Sequence, residues 1–437
     1  MNPAPSVTQG LRPYTVNFVS SDPNTWTLAS QGAPLWQTTW YNFAPRLGVA
    51  YILRNAAAHE TVLRGGIGVF YDTGQQAGSI GFKGPGFISA STILPGPFPG
   101  SPAIPAVTNP PVGKFNNVFT FATHLQLPYT LQWNVSIEQA LGKSQALTVS
   151  YVGSHASRLL QNNNFKPTTN PLSGNFRLVE NGLRSDYGSL QMQFRRRLSR
   201  GLTTLASYTW SHCLDYGSTN YDFGYQRGNC DFDVRHNMTA AFSYDLPKVG
   251  QNTLEKALLH HWALDGRFTA RTGFPITLIG RALVQPNLEV LHAGLNLVPG
   301  QPVYLYGANC DSVLQGLGRL APGQGCPGGR AINPLAFANV SSGLGNAPRN
   351  FTRGFGAWQM DLAVRREFSI SERLNLQFRA EAFNIFNHPN FGSINPSLGS
   401  KTFGQATATL ASSLGVVNPL YQTGGPRSMQ FALKLVF

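Results

Sequence analysis

The stretch SMQFALKLVF (428–437) alternates apolar and polar side chains throughout. An extended strand would place these apolar residues on one face: Met429, Phe431, Leu433, Leu435 and Phe437. The opposite face would carry mostly small or polar residues, among them Lys434. Because successive side chains of a strand point to opposite sides, this pattern predicts a β-strand between an apolar and a polar environment.

The same period of two recurs in further stretches of about ten residues. They are 43–53, 61–71, 131–139, 146–153, 189–197, 201–211, 237–246, 262–271, 358–368 and 373–383. Roughly ten residues is the length with which a tilted strand crosses a bilayer. The sequence therefore predicts an all-β fold, a transmembrane antiparallel β-barrel with eleven or twelve of its strands in this chain.

The connections between these strands alternate in length. Short ones are 54–60, 140–145, 197–200, 247–260 and 369–373, and long ones are 72–129, 154–185, 212–236, 272–357 and 384–427. Outer-membrane barrels alternate in this way, with short periplasmic turns and long extracellular loops. Aromatic residues near the strand ends fit the girdles of such barrels: Tyr71, Trp210, Tyr244, Trp262 and Trp358.

Composition excludes several classes of protein. The 437 residues are 42% hydrophobic and only 12% charged, and no stretch reaches the ~18 continuous apolar residues of a membrane helix. The net charge is +14, but the basic residues are scattered, and the single cluster, RRRLSRG (195–201), falls at a predicted turn. We therefore expect no nucleic-acid partner. We also expect no enzymatic activity and no cofactor.

Segment 212–236 brings potentially reactive side chains together within 25 residues: His212, Cys213, Asp215, Cys230, Asp231, Asp233 and His236. Their chemistry has two interpretations. A catalytic or metal site is one, but no CxxC spacing supports it. We favour a loop closed by a Cys213–Cys230 disulfide, with Cys310 and Cys326 as a second pair, as suits an oxidising compartment. Four charged or polar residues are then predicted at the mouth of the lumen, within reach of a solute: Asp231, Asp233, Arg235 and His236.

Charged residues also recur on the polar faces of the predicted strands: Arg267, Arg271, Arg365, Arg379 and Glu381. They could line the path of a solute or form structural ion pairs between strands. We favour the ion pairs, because charge in a wet lumen is placed at low cost. Both interpretations stay open from sequence.

Nine segments in order carry a family resemblance over about residues 11–437: PLWQTTWYNFAPRLGVAY, TVLRGGIGVFYD, LPYTLQWNVSIEQAL, VSYVGSHASRL, YGSLQMQFRRRLSRGLT, SYTWSHCLD, DFDVRHNMTAAFSYDLP, RTGFPIT and LQFRAEAFNIFNHPNFG. Together they resemble the Oar-like TonB-dependent transporters of the outer membrane. The resemblance implies a barrel of about 22 strands, a plug that contacts the TonB complex, and an N-terminal regulatory-like domain. It also implies that MQFALKLVF is the signal read by the barrel-insertion machinery.

Only the C-terminal part of that pattern is present. We expect residues 1–42 to be irregular or a partial strand, and residues 43–437 to be barrel, with plug and regulatory-like domain missing. An odd count of eleven strands and the lack of a signal peptide favour a truncated chain. The expected function is uptake of an unidentified small molecule, glycan or peptide. Two alternatives are a small autonomous porin, with PYTVNFV (13–19) as a twelfth strand, and a surface adhesion barrel.

Overall fold

The computed structural model describes residues 14–30, 32–72, 80–83, 114–217, 226–250, 252, 255–256, 259–284, 288, 290–292, 294–341, 345–371, 374–410 and 424–436. Eleven long strands form one sheet: β1 (Arg46–Arg54), β2 (Thr61–Tyr71), β3 (Tyr129–Ala140), β4 (Gln145–Phe165), β5 (Phe176–Ser199), β6 (Leu202–Asp215), β7 (His236–Asp245), β8 (Trp262–Arg271), β9 (Ala357–Ser371), β10 (Leu374–Phe383) and β11 (Ser428–Val436). All eleven predicted strands are present.

The sheet is an antiparallel meander in which each long strand pairs with its neighbours in the chain. Two short strands extend it: Val118–Phe121 runs parallel to β5, and Gly228–Asn229 pairs with β6. Within the described residues β1 pairs only with β2, and β11 only with β10. The described part of the sheet therefore has two unpaired edges.

One predicted connection is wrong. Residues 154–185 were expected to be a long loop, but β4 has 21 residues and β5 has 24, so the two strands stay paired from Gln145–Arg196 to Phe165–Phe176. The outer half of this hairpin lacks the apolar alternation of the rest, as in SRLLQNNNF (157–165). This half packs against residues 14–36 and 115–125, and Phe176 and Val179 are fully buried there. A hairpin that projects beyond a bilayer has no lipid to face, so it has no need of that alternation.

The twelfth strand of the porin alternative does not form. Val16–Asn17 pairs with Thr27–Leu28 in a separate two-stranded sheet, and does not join the long one. Val16 and Trp26 are buried against Val118 and Phe176, at the end of the hairpin where β4 leads into β5. Burial of these apolar side chains, rather than pairing with β1, therefore fixes the position of residues 14–28.

The register of the strands separates an apolar face from a polar face. A continuous row of paired residues across nine strands is entirely apolar or aromatic: Tyr51, Leu63, Ile137, Val149, Met192, Tyr208, Met238, Ala270 and Trp358. Large side chains on this face stay exposed, for example Tyr51 (64%) and Phe431 (71%). A face of this kind suits contact with lipid.

The predicted aromatic girdles lie at the two ends of this apolar face. Tyr71, Trp210 and Trp358 are near the end that carries the long connections, which we name the loop end. Tyr244 and Trp262 are near the opposite end, which we name the turn end. Aromatic residues at both ends of an apolar face are typical of membrane barrels.

Two further buried cores lie in the long connections. Segments 272–356 and 384–410 pack together around Leu295, Ile332, Phe337 and Phe403. Helix α1 (Gly307–Gly316) and a Cys310–Cys326 disulfide form a second core. Short strands support these cores: Pro275–Ile276, Ala282–Val284, Val290–His292, Leu295–Leu297, Tyr304–Tyr306, Arg330–Ile332, Phe337–Asn339 and Thr352–Arg353. In the described part of the chain no helix is long and apolar enough to span a membrane.

Candidate functional site

The polar face carries a network of ion pairs centred on Asp265 of β8. Its carboxylate accepts a hydrogen bond from Ser243 Oγ at 2.7 Å and lies 3.4 Å from Arg365 Nε and 3.2 Å from Arg379 Nη1. These residues come from four neighbouring strands, β7 to β10. Cross-strand neighbours on one face lie close enough for such contacts, so the register itself assembles the network.

The network extends beyond Asp265 on both sides. Arg365 Nη2 lies 2.9 Å from Asp245, and Arg379 Nε lies 2.7 Å from Glu381. Three of the five predicted lumen charges, Arg365, Arg379 and Glu381, are therefore in ion pairs with neighbouring strands or residues. For these three the contacts fit the structural interpretation rather than a free path for solute.

Arg267 differs from these three residues. It is exposed on the same face, directly opposite Asp361 in the register, and it has no ion pair or hydrogen bond in the described part of the chain. The Asp361 carboxylate instead accepts hydrogen bonds from Gln359 Nε2 at 2.7 Å and from the Asn384 amide at 2.9 Å. Since Asp361 is held by these donors, the Arg267 guanidinium stays exposed on the polar face.

A cavity of about 470 Å³ surrounds Arg267 on the polar face. Asp265, Asp361, Arg379 and Glu381 also line it, together with apolar side chains such as Leu205. Its volume is within the range of about 300 to 1,000 Å³ that is usual for small-molecule sites. Arg271, four residues along β8, lies at the loop end and its guanidinium stacks 4.2 Å from the Phe274 ring.

The predicted lumen-mouth residues belong to a contact between two long connections, which we name the loop clamp. Arg349 forms ion pairs with Asp215 and, at 3.0 Å, with Asp231, and Arg353 forms one with Asp233. The Arg349 side chain is 3% exposed and that of Asp233 is 1% exposed. Burial lowers the pKa of Arg349 to about 10, so this guanidinium stays charged at neutral pH.

Backbone contacts complete the loop clamp. Asn229 Nδ2 donates to the Asn350 carbonyl at 2.8 Å, and Asn350 Nδ2 donates to the Asn229 carbonyl at 2.9 Å. Gly228 packs directly against the Arg349 carbonyl, where a Cβ atom would clash. The Cys213–Cys230 disulfide joins the two ends of the partner segment. Two connections far apart in sequence are thus held together by polar contacts.

His212 and Arg235 extend the clamp around Asp233. His212 Nδ1 lies 3.3 Å from Asp233, and its Nε2 accepts from Arg235 Nη2 at 3.1 Å, which assigns the ring proton to Nδ1. His236 lies on the other face of the sheet, where its Nδ1 bonds the Tyr208 hydroxyl at 2.8 Å. The structure therefore groups Asp231, Asp233 and Arg235 but separates His236 from them. Alternation along β7 explains the separation.

Sequence reasoning missed Arg349 and Arg353, which supply the cations of the clamp. They lie in NAPRNFTRG (346–354), a segment without periodicity, so nothing in the pattern shows where their side chains point. Across the described ranges, no group of three or more His, Cys, Asp or Glu side chains is arranged to hold a metal ion.

Asp233 makes the clamp sensitive to acid. Desolvation by burial raises the pKa of this carboxyl, but hydrogen bonds from Arg353, the Cys213 amide and His212 outweigh it and bring the pKa below its ordinary value of 3.8. A carboxyl whose pKa is lower in the folded than in the unfolded protein stabilises the fold at pH values above its unfolded-state pKa. This stabilisation is lost as the pH falls through the folded-state pKa. We expect the melting temperature to fall between about pH 5 and about pH 2, and to fall less in the Asp233→Asn variant. Equal pH profiles would contradict this assignment.

Comparison with known protein families identifies the family to which the chain belongs. The family described as "Outer membrane beta barrel domain" matches residues 3–430. The chain belongs to this outer membrane beta barrel family. It is therefore a protein of the cell outer membrane, and the apolar face of its sheet is the face that contacts lipid. In outer-membrane barrels the long connections lie at the extracellular end.

Several solved structures are similar to this outer membrane chain, at low identity. The pyoverdine outer membrane receptor FpvA of Pseudomonas aeruginosa has 11% identity and a TM-score of 0.42, with 90% of this chain and 36% of that chain covered. The FrpB iron transporter of Neisseria meningitidis has 11% identity and a TM-score of 0.41, covering 90% and 39%. The Ferric-Catecholate import receptor Fiu of E. coli has 10% identity and a TM-score of 0.39, covering 89% and 34%. The chain thus spans about a third of their length. No curated protein sequence matches it.

The segment predicted as an insertion signal forms an outer edge strand of this family member. Met429, Phe431, Leu433 and Leu435 of β11 lie on the lipid-facing side and are exposed, and Phe437 lies outside the described residues. Their register with β10 places them beside Ala382, Ala380, Phe378 and Leu376. The strand itself is confirmed, and its role as a signal stays a prediction.

Proposed function

We propose that this barrel belongs to an Oar-like TonB-dependent transporter and that its polar face forms part of the path of an imported solute. Membership of the outer membrane barrel family and the resemblance of nine ordered segments support this proposal. In this proposal the TonB complex acts through a plug, and the barrel-insertion machinery reads the segment around β11. The imported nutrient is a small molecule, glycan or peptide.

The observation that carries the proposal is the environment of Arg267. The other charges around its cavity already have partners: Arg379 with Asp265 and Glu381, and Asp361 with Gln359. Arg267 alone among them is both exposed and without such a contact in the described residues. A guanidinium in this position binds a carboxylate or phosphate in bidentate geometry. The proposed solute therefore carries an anionic group.

Replacement of Arg267 tests this proposal in the native membrane. A strain that lacks the gene is first compared with wild type on single limiting nutrients, and the nutrient whose use is lost becomes the probe. We expect Arg267→Gln to raise the half-saturation concentration for uptake of that probe roughly tenfold, as for loss of one charge-assisted hydrogen bond. Arg197→Gln, an exposed residue at the turn end of β5, is the matched control.

Energy dependence separates a coupled transporter from a passive pore. A protonophore should abolish uptake of the probe in wild type, because the TonB complex depends on the proton-motive force. Uptake that persists under the protonophore supports the porin alternative instead. If deletion of the gene impairs surface attachment and leaves nutrient uptake unchanged, the result supports the adhesion alternative.

A further inference from the structure

A serine, a histidine and an aspartate form a chain of hydrogen bonds in the β4–β5 hairpin, which we name the hairpin triad. His155 Nδ1 lies 2.7 Å from Asp186 Oδ1, and Ser157 Oγ lies 3.0 Å from His155 Nε2. Because a carboxylate only accepts hydrogen bonds, His155 Nδ1 carries the ring proton. In the neutral imidazole Nε2 is then the acceptor, and the Ser157 hydroxyl donates to it. Linked in this order, the three groups form the constellation that activates a serine as a nucleophile.

The pairing of β4 with β5 assembles the hairpin triad. His155 lies directly opposite Asp186 in the register, and Ser157 follows two residues later on the same strand. The second carboxylate oxygen of Asp186 lies 3.0 Å from Arg227 Nη2, so the carboxylate is held at both oxygens. The side chains of His155 and Asp186 are 39% and 43% exposed. The imidazole is therefore both oriented and accessible.

The backbone next to Ser157 departs from a regular strand. The pairing with β5 shifts between Ala156 and Leu159, and Arg158 has a φ of 58°. Asn181 Nδ2 donates to the Arg158 carbonyl at 2.6 Å and fixes this conformation. Residues other than glycine seldom adopt a positive φ, and both bulges and such conformations recur beside functional sites.

Arg158 brings positive charge to the side of the sheet that carries the hairpin triad. Its guanidinium lies 5.2 Å from the centre of the Tyr129 ring, and Tyr129 lies directly opposite Ser157 in the register. In the part of the chain that the structure describes, this guanidinium has no carboxylate partner. A cation in such a place stabilises the negative charge that develops on a carbonyl oxygen under nucleophilic attack.

The hairpin triad lies on the lipid-facing side, at the level of the aromatic girdle. Alternation along β4 places His155 on the same face as Val149, a member of the apolar row. Tyr129 pairs with Tyr71 of the girdle, and their ring centroids are 6.1 Å apart. Ser157, opposite Tyr129, is therefore at the boundary between hydrocarbon and headgroups. The esters that join acyl chains to a lipid headgroup lie at this boundary.

We propose that the hairpin triad hydrolyses acyl esters of membrane lipids. The Ser157 oxygen attacks the carbonyl carbon of the ester, and its proton passes to His155 Nε2. As the C–O bond of the ester breaks, His155 gives this proton to the leaving alcohol oxygen, and the acyl group stays on Ser157. Water then attacks the acyl carbon with His155 again as the base, and His155 returns the proton to Ser157 as the fatty acid leaves. Asp186 orients the imidazole and stabilises its charged form, and Arg158 stabilises the oxyanion.

This inference does not rest on the proposed transport function, since it uses only the lipid-facing side of the sheet. It departs from the expectation, drawn from sequence, that the chain has no enzymatic activity. The sequence predicts a loop over residues 154–185, and a loop gives no reason to place Ser157 and His155 beside Asp186. The observed extension of β4 and β5 supplies that reason.

Covalent labelling of the full-length protein, purified from outer membranes in detergent, tests for an activated serine. A fluorophosphonate probe bonds to activated serine hydroxyls, and mass spectrometry of a digest identifies the labelled residue. We expect label on Ser157 in wild type, and none in Ser157→Ala or His155→Gln. Ser154→Ala, on the opposite face of β4, is the matched control and should leave the labelling of Ser157 unchanged.

Release of fatty acid from mixed micelles identifies the ester. Phosphatidylethanolamine, lipopolysaccharide and a water-soluble acetyl ester are each supplied to the same amount of protein. We expect faster cleavage of one of the two lipids than of the soluble ester, and the faster lipid is the source of the natural ester. His155→Gln should lower the rate about a hundredfold or more, as for loss of a general base. His388→Gln, which stacks on Trp358 at 4.3 Å, should leave the rate unchanged.

The pH profile distinguishes a positioning role of Asp186 from a merely structural one. We expect Asp186→Asn to lower kcat about a hundredfold with little change in KM. The acid limb of kcat/KM should also move to lower pH, because the imidazolium loses a neighbouring negative charge. A variant that is only less stable would keep the position of this limb.

Three results would overturn the proposal. The first is absence of label on Ser157 in wild type, a measurement that still decides if Ser157→Ala fails to fold. The second is an equal rate in wild type and Ser157→Ala, since another group would then cleave the ester. The third is cleavage of the soluble ester alone, since this would exclude membrane lipids as the substrate.

Discussion

Reconstituted into lipid vesicles as a monomer, these 437 residues are expected not to form a heat-modifiable, protease-resistant barrel. All nine residues of β1 are exposed, and among the described residues β1 and β11 each pair on one side only. In hydrocarbon every unsatisfied backbone group costs several kcal/mol, so two such edges outweigh the burial that eleven strands provide. Gel mobility before and after heating, together with trypsin resistance, measures the outcome.

Cysteine cross-linking shows whether the two edges meet. All four native cysteines are in disulfides, so introduced thiols react without competition. Tyr51→Cys with Leu63→Cys, which face each other across β1 and β2, is the positive control for a paired seam. Val49→Cys with Phe431→Cys probes the edges of β1 and β11. A folded monomer cross-linked at the second pair would contradict the prediction, because the sheet would then close on itself.

The eleven strands could be predicted from sequence because each is amphipathic within itself. A strand such as β10 shows its two environments in the alternation of Leu374, Leu376 and Phe378 with polar neighbours, and no distant residue is needed to interpret it. The direction of the side chains was predictable for the same reason. Because one side of each strand is buried or faces lipid, a shift of the strand register by one residue would turn every side chain to the wrong face.

The extended hairpin and the loop clamp could not be predicted in this way. The outer parts of β4 and β5 face no lipid and are covered by residues 14–36 and 115–125, so their strand character leaves no period of two in the sequence. The clamp depends on Arg349 meeting Asp215, residues 134 positions apart in segments without secondary structure pattern. Contacts of this kind are set by the folded connections, and a local pattern contains no information about them.

The candidate site was likewise predictable from sequence only in part. That Arg267 points to the polar face followed from alternation, and the structure agrees with that placement. That Arg365 and Arg379 are paired while Arg267 is not depends on which donors hold Asp265 and Asp361. Those donors include the Asn384 amide, which lies beyond the end of β10, so only the three-dimensional structure separates the three arginines.

Replacing Arg349 with methionine is expected to release the loop clamp. The substitution removes a 3% exposed cation from beside Asp215 and Asp231 and leaves their carboxylates in a buried site. Loss of one partner of a buried ion pair costs about 3 to 5 kcal/mol, because the remaining buried charge loses its counter-ion. The cost acts on the docking of the connections and not on the membrane strands, so the barrel itself should stay inserted.

Protease cleavage of segment 345–353 in outer-membrane vesicles measures this effect. A loss of 3 kcal/mol raises the open population roughly a hundredfold, and cleavage should accelerate by at least that factor. Arg227→Met is the matched control: Arg227 is 50% exposed and pairs with the 43% exposed Asp186, and exposed pairs contribute about 0 to 1 kcal/mol. Adding Asp215→Asn and Asp231→Asn to Arg349→Met should slow cleavage again, since the two negative charges are then removed together with the cation. Equal cleavage of Arg349→Met and Arg227→Met would show that the clamp does not hold the two connections together.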